Sequence, residues 1–254
     1  MIWNDEFDLV YDDWMIMDNV ELEKSYAAKE LFQCVIKKYG DTAETKEKVD
    51  YLYEKALVLN QKLSMMLYAK YNIFKVKSDF ESTQNMEIPA LYGIGKTRIL
   101  FYLESMIVFA RNALDVAATV YSDLLLDKRL DSFNDFSKKI MKSTDTQLQS
   151  LKEYFLKNSD DGLCAYRLLC GSEKGRALRD IIIHQANVNL IYSEYRENSE
   201  KERLFLILKN EPLVDLDDFV YSFISEVEEI FSLTTRFCEQ YIINNSSFTR
   251  KKAD

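Results

Sequence analysis

One histidine, His184, stands in a chain of 254 residues, inside the run GRALRDIIIHQANVN at 175–189. Arg179 lies five positions before it and Asp180 four. These three residue types could do chemistry together. An imidazole with an ordinary pKa of about 6.5 takes or gives a proton at neutral pH. A guanidinium grips phosphate oxygens in a two-pronged fork. A carboxylate one helical turn before a histidine can hold one ring nitrogen and so fix the tautomer. On a helix advancing about 100° per residue, Leu178, Ile181, Ile182, Val188 and Tyr192 gather on one side. Arg176, Arg179, Asp180, His184 and Asn187 gather on the other, across an arc of about 140°. Arg179 and His184 sit at the two edges of that arc and diverge within one helix. A second copy of the motif facing the first would bring them together. The plain alternative is a surface histidine satisfied by an aspartate one turn away.

Other candidates are weaker. YGIGKTR at 92–98 resembles a phosphate-binding loop, but Ala90 stands where that loop needs a glycine, and NMEIPAL is a poor preceding strand. Its glycines read as a turn leading into a helix. The acidic run DLDD, with Asp215, Asp217 and Asp218, reads as helix capping, because free N–H groups at a helix start favour carboxylates. Four cysteines (Cys34, Cys164, Cys170, Cys238) are scattered, with no C-x-x-C, and one histidine cannot complete a zinc set. They read as buried apolar side chains. No metal and no cofactor is expected.

The elements that must position the motif are helices. Only 6 Gly and 2 Pro occur, few for a chain that would need many turns, and 47 % of residues are hydrophobic against 30 % charged. A helix is predicted over 20–39, closed by Gly40, with Thr42 capping the next. Val49, Leu52, Ala56, Leu59, Leu63, Met66 and Ile73 then recur at three- and four-residue steps, with Lys70 the one break in the seam. The pattern lapses over 78–97. It resumes from Arg98 to Leu126, with Leu100, Leu103, Ile107, Ala110, Leu114, Ala117, Tyr121 and Leu124 on one stripe. DKRLDSFND reads as a break before a helix at 145–157. LCAYRLLC is a short helical piece stopped by Gly171, and Ser172 starts the motif helix. Residues 204–208 form a short strand or extended segment, and a last helix spans 216–243. The fold class predicted is all-α: an antiparallel helical bundle at 96–243, an N-terminal helical region at 1–95, and a polar, disordered tail at 244–254.

The formal net charge is −9. An acidic chain that held nucleic acid would have to do so through local basic patches. No run of 18 apolar residues exists, and the acidic N-terminus lacks the form of a signal peptide, so a cytoplasmic protein with no membrane partner is expected.

The segment RDIIIH, Arg179 to His184, resembles the signature of HEPN domains: arginine, a polar residue, then histidine after a gap of four to six. FARNALDVAATVY at 109–121 is similar to an earlier bundle helix of bacterial HEPN proteins, and the likeness extends helix by helix over about residues 96–243. The resemblance implies a dimeric bundle that brings two motifs into one cleft, and a metal-independent endoribonuclease of toxin–antitoxin or antiviral defence systems. His184 would then act as general base or acid at the ribose 2′-OH, Arg179 would clamp the scissile phosphate, and Asp180 would orient the active groups. Lys174, Arg176 and Asn187 would help hold RNA. The products expected are a 2′,3′-cyclic phosphate and a 5′-hydroxyl. Partners expected are a second copy of the chain, the RNA substrate, and an antitoxin or other protein. Ala186 stands where some members carry a modifiable tyrosine, so that regulation is not expected. The alternative kept open is a non-catalytic HEPN-like protein acting as an interaction module or scaffold.

Overall fold

A computed structural model describes residues 27–40, 42–82, 89–160, 164–171, 177, 189–193, 203–207 and 213–249. Helix α1 spans Ala27–Tyr39, α2 Lys46–Ser82 and α3 Pro89–Leu126. Helix α4 spans Phe133–Lys142, a 3₁₀ turn Thr146–Leu148, α5 Gln149–Asp160 and α6 Ala165–Cys170. Strands β1 (Asn189–Ser193), β2 (Arg203–Ile207) and β3 (Val214–Asp215) precede the last helix, α7, Leu216–Thr249. The chain is therefore mostly helical, with a small antiparallel sheet in the order β1-β2-β3 rather than one isolated strand.

Helices α2 and α3 pack on each other along their length and form the axis of the molecule. Every seam residue on α2 from Val49 to Ile73 is buried except Lys70, and on α3 every stripe residue from Leu103 to Leu124 is buried. Lys70 escapes the seam by placing its ammonium over the Tyr221 ring of α7, 5.3 Å from the centroid. The register is antiparallel: Lys62 of α2 lies over Phe109 of α3, and Lys48 pairs with Asp123. Helices α1 and α7 lie against this pair, with the Tyr121 hydroxyl of α3 2.9 Å from Thr235 of α7. Helices α4, α5 and α6 attach through a cluster of rings, two pairs edge-on and one stacked. Phe155 of α5 contacts Phe133, Phe136 and Tyr166 at centroid distances of 5.7, 6.1 and 5.6 Å.

Helix ends follow the residues that close them. Gly40 adopts φ +71° after α1, and its N–H reaches the Ile36 carbonyl at 2.8 Å. Gly171 does the same after α6 with φ +76°. The C-terminus of α3 is held by Lys38 of α1, whose ammonium donates to the carbonyls of Asp123 and Leu124 at 3.0 and 2.7 Å. A cation there meets the negative end of the helix dipole. Asp215 caps α7, its carboxylate accepting from the N–H groups of Asp217 and Asp218.

Several expectations are corrected. The 78–97 lapse narrows: α2 continues to Ser82, and α3 begins at Pro89, a residue suited to the first helical position because it lacks an N–H. Helix α3 runs unbroken across residues 95 and 96, and Gly93 and Gly95 lie within it rather than in a turn. One hydrophobic core holds residues from Ala28 to Ile242. The last residue before α2 is Thr45, not Thr42; the two threonines bond to each other across a turn instead. A helix, α4, occupies part of the stretch read as a break, with Phe133, Phe136 and Ile140 on its buried side. Helix α7 extends six residues past 243, to Thr249. Residues 1–26, part of the N-terminal region, lie outside the described residues.

Candidate functional site

The motif itself, Arg179, Asp180 and His184, lies outside the described residues, as do Lys174, Arg176 and Asn187. The elements flanking it are described. On the near side the chain leaves α6 at Gly171; on the far side Asn189 opens β1. Ala177, between them, is buried and belongs to no helix or strand, so the helix expected to start at Ser172 does not include it. The far end is corrected too. Residues 189–193 pair antiparallel with 207–203, Leu190 opposite Leu206 and Tyr192 opposite Leu204. Tyr192 therefore cannot share a helical arc with Leu178, because side chains alternate along a strand. The signal was present in NLIYS, a β-branched and aromatic run, but the helical periodicity upstream overrode it.

Beneath the near side lies a polar cluster built by three helices. Arg111, near the middle of α3, is 8 % exposed. Its Nε donates to Asp115 Oδ2 at 3.0 Å, and one terminal nitrogen meets Asp115 Oδ1 at 2.9 Å. The other donates to the Leu169 carbonyl at 2.9 Å and to Cys170 Sγ at 3.4 Å, both at the end of α6. Ser132 Oγ accepts at 3.3 Å. The guanidinium thus makes four hydrogen bonds and an ion-pair contact with Asp115. Asp115 Oδ1 also accepts the Phe133 N–H at 2.8 Å, capping α4 from 18 residues upstream, because Ser132 makes no side-chain cap of its own. The run FARNALD supplies both charged partners one turn apart. Arg111 is buried and committed to partners within the chain. Its work is to fix the exit of α6, two residues before the motif-bearing segment begins.

A second buried charge sits near the C-terminal end of α3. The Asp123 side chain is 4 % exposed and pairs with Lys48 at 2.9 Å and Arg129 at 3.5 Å. The Tyr39 hydroxyl donates to the same carboxylate. Burial, then that carboxylate, pushes the phenol well above its usual pKa, so it stays a donor. This group ties α1, α2 and α3 together. Nothing in YSDLLL at 121–126 marks Asp123 as paired to two cations from other parts of the chain.

The cysteines are all free. Cys34 and Cys238 are buried as expected, whereas Cys164 and Cys170 are half-buried. Burial pushes the Cys34 thiol up to about 11 and Cys170 up to about 12. Neither is poised as a nucleophile, which needs a depressed pKa. Cys164 caps α6, its sulfur accepting from the Arg167 N–H. Among the described residues no group of three or more His, Cys, Asp or Glu could hold a metal ion. A cleft of ≈ 460 Å³ between α1 and α7 is lined by Glu30, Lys37, Arg236 and Glu239 among others. Lys37 is paired to Glu239 and Arg236 is bonded to Ser232, so the cleft offers no activated group.

No helix among the described residues is long and apolar enough to cross a membrane. No family model, no curated protein and no solved structure matches the chain.

Proposed function

We propose that the protein is a metal-independent endoribonuclease of the HEPN type, acting as a homodimer in toxin–antitoxin or antiviral defence. The observation that carries this reading is the spacing Arg179-Asp180-x3-His184 in a chain with no other histidine. Its setting adds support: the segment is tethered at one end to a charge-locked helix exit and at the other to a strand. In this reading His184 accepts the 2′-OH proton and the freed oxygen attacks the adjacent phosphorus. The 5′-oxygen leaves and takes a proton, giving a 2′,3′-cyclic phosphate and a 5′-hydroxyl. Arg179 holds the phosphate oxygens as charge builds, and Asp180 orients the reacting groups. Lys174, Arg176 and Asn187 contact the RNA backbone. Binding is weak, because the chain as a whole repels a polyanion, and it falls steeply with salt, because the local basic contacts release counterions from the RNA.

The test is cleavage of a mixed RNA in EDTA by the native chain, His184→Ala and Arg179→Ala, with end-group analysis of the products. Cleavage by the native chain alone, leaving cyclic phosphate ends, supports the reading. A native chain that leaves RNA intact, or a His184→Ala protein as active as the native one, ends it.

A non-catalytic interaction protein is the second reading. It is favoured by the net charge of −9 and by the full engagement of Arg111 and Asp123 in holding helices together. Under that reading, RNA stays intact and a protein partner binds the same with His184→Ala as with the native chain.

A further inference from the structure

Helix α4 sorts its residues by the period of a helix. Phe133, Phe136, Ser137 and Ile140 are buried, whereas Lys138, Lys139 and Lys142 are exposed. At about 100° per residue the three lysines fall within about 100° of one another, on the side away from the core. Asp135 is the only acid in the helix and lies on the same arc. A fourth lysine, Lys128, is exposed in the turn between α3 and α4 and reaches across to this face. Its ammonium donates to the Lys139 amine, and that contact, with the charge of Lys128, pulls the Lys139 pKa below its usual range.

Two cationic side chains in contact repel unless something negative joins them. Among the described residues no ion pair involves Lys128, Lys138, Lys139 or Lys142. The carboxylates nearest to Lys128 in the chain are taken: Asp127 by Lys38, and Asp123 by Lys48 and Arg129. The negative end of the helix dipole favours Lys139 and Lys142 in the last turn of α4. It gives no reason for Lys128 to come in from outside the helix. Four lysines against one aspartate leave an excess of three positive charges on one small face, in a chain whose net charge is −9. None of the large apolar residues exposed among the described residues lies between 127 and 142. A protein interface would need an apolar or aromatic centre there and would avoid lysine.

We propose that Lys128, Lys138, Lys139 and Lys142 form a binding site for a polyphosphate, a chain of two or more phosphoryl groups, free or at the end of a nucleotide. Lysine meets phosphate oxygens as a point charge, and its flexible stem lets the ammonium follow the ligand. A phosphodiester strand carries one negative charge per phosphate, spread along its length. A terminal phosphoryl group carries nearly two at one point. The converging pair Lys128 and Lys139 matches the second, since a dianion seated between them balances both ammonium groups. Lys138 and Lys142, four residues and about 6 Å apart along the helix, take the oxygens of the next phosphoryl group. With the ligand in place Lys139 holds its full positive charge, because a dianion has replaced an ammonium as its nearest neighbour.

The site uses none of Arg179, Asp180 and His184, so the inference goes beyond the nuclease reading. The test is isothermal titration calorimetry of the full chain with tripolyphosphate in metal-free buffer, with far-UV circular dichroism as the folding control. At about 50 mM salt we expect one site per chain with a dissociation constant of about 100 µM or tighter, weakening as salt rises. Lys128→Gln combined with Lys139→Gln weakens binding by about tenfold and, both residues being exposed, keeps the helix content. Lys62→Gln combined with Lys75→Gln on α2 changes the net charge equally and leaves the affinity within about twofold. Lys128→Arg combined with Lys139→Arg holds it within about threefold, since the charge is kept. ATP binding as tripolyphosphate does shows that the phosphate chain alone is held; tighter binding of ATP shows that a nucleotide carries it. No binding up to about 1 mM tripolyphosphate, or an equal loss in both glutamine pairs, overturns the proposal. So does a single-stranded RNA that displaces tripolyphosphate at equal phosphate concentration, which would make the face a track for a nucleic-acid backbone. RNA cleavage is read separately: a protein that binds tripolyphosphate and leaves RNA intact sinks the nuclease alone, and one that cleaves RNA without binding tripolyphosphate sinks this site alone.

Discussion

Replacing Arg111 with methionine removes a guanidinium while keeping the apolar stem that packs against α6. Five acceptor contacts then lose their donors: two to Asp115 and one each to the Leu169 carbonyl, Cys170 Sγ and Ser132 Oγ. Breaking a buried ion pair by deleting one member costs about 3–5 kcal/mol. Here the low end applies, because the Asp115 side chain is 27 % exposed and keeps the Phe133 N–H. We expect about 3 kcal/mol. For a chain of this size that lowers the melting temperature by about 6–12 °C. Arg111→Lys recovers little of the loss, since one ammonium cannot span the carboxylate, the α6 carbonyl and the serine at once. Asp115→Asn keeps an oxygen for the Phe133 N–H and costs less than the arginine change. Because the two side chains act as a unit, the double change Arg111→Met with Asp115→Asn costs about 1–2 kcal/mol less than the sum of the singles. Urea unfolding followed by circular dichroism measures all four. A loss of less than about 1 kcal/mol for Arg111→Met, or strict additivity of the pair, would refute the structural role given to this cluster.

Two further outcomes follow from the buried thiols and the helix ends. Burial raises the folded-state pKa of Cys34 to about 11 and of Cys170 to about 12, from an ordinary 9.0, so between pH 9 and about 11 the unfolded chain binds fewer protons than the folded one. Stability that is full below pH 9 is therefore lost as pH rises; melting temperatures that stay flat from pH 8.5 to 10.5 would contradict this, and Cys34→Ala should flatten the slope. Gly40→Ala forces a side chain into φ +71°, where the nearest atom to the new Cβ is 4.0 Å away, so the cost is conformational rather than steric. We expect about 1–2 kcal/mol, with helix content kept; a variant as stable as the native chain would mean the left-handed turn is not held.

The long helices were legible because burial acts on periodicity. Val49 through Ile73 and Leu103 through Leu124 repeat at a helical spacing, and only a helix puts such a set on one side. The start of α7 at Leu216 was legible for the same reason, helped by a capping aspartate. Helix α4 was missed although Phe133, Phe136 and Ile140 carry the spacing, because charged residues around them drew attention to a break. Strand β1 was missed because its apolar residues follow a helical pattern without interruption. Local letters do not say where one period yields to the other; pairing with 203–207 does.

Residue types at Arg179, Asp180 and His184 were likewise readable as chemistry, since an ionisable group keeps its properties wherever the chain takes it. The sequence by itself determined a helical protein with one histidine and a strong excess of acid. The tertiary structure decided what each charge is for. Arg111 and Asp123 look like any other ions in the letters, yet become buried clamps once α6 and α1 close over them. Phe101 looks like core and is left facing outward. Those assignments depend on which helices lie side by side, and that arrangement comes from contacts between residues far apart in the chain, beyond the reach of any local pattern.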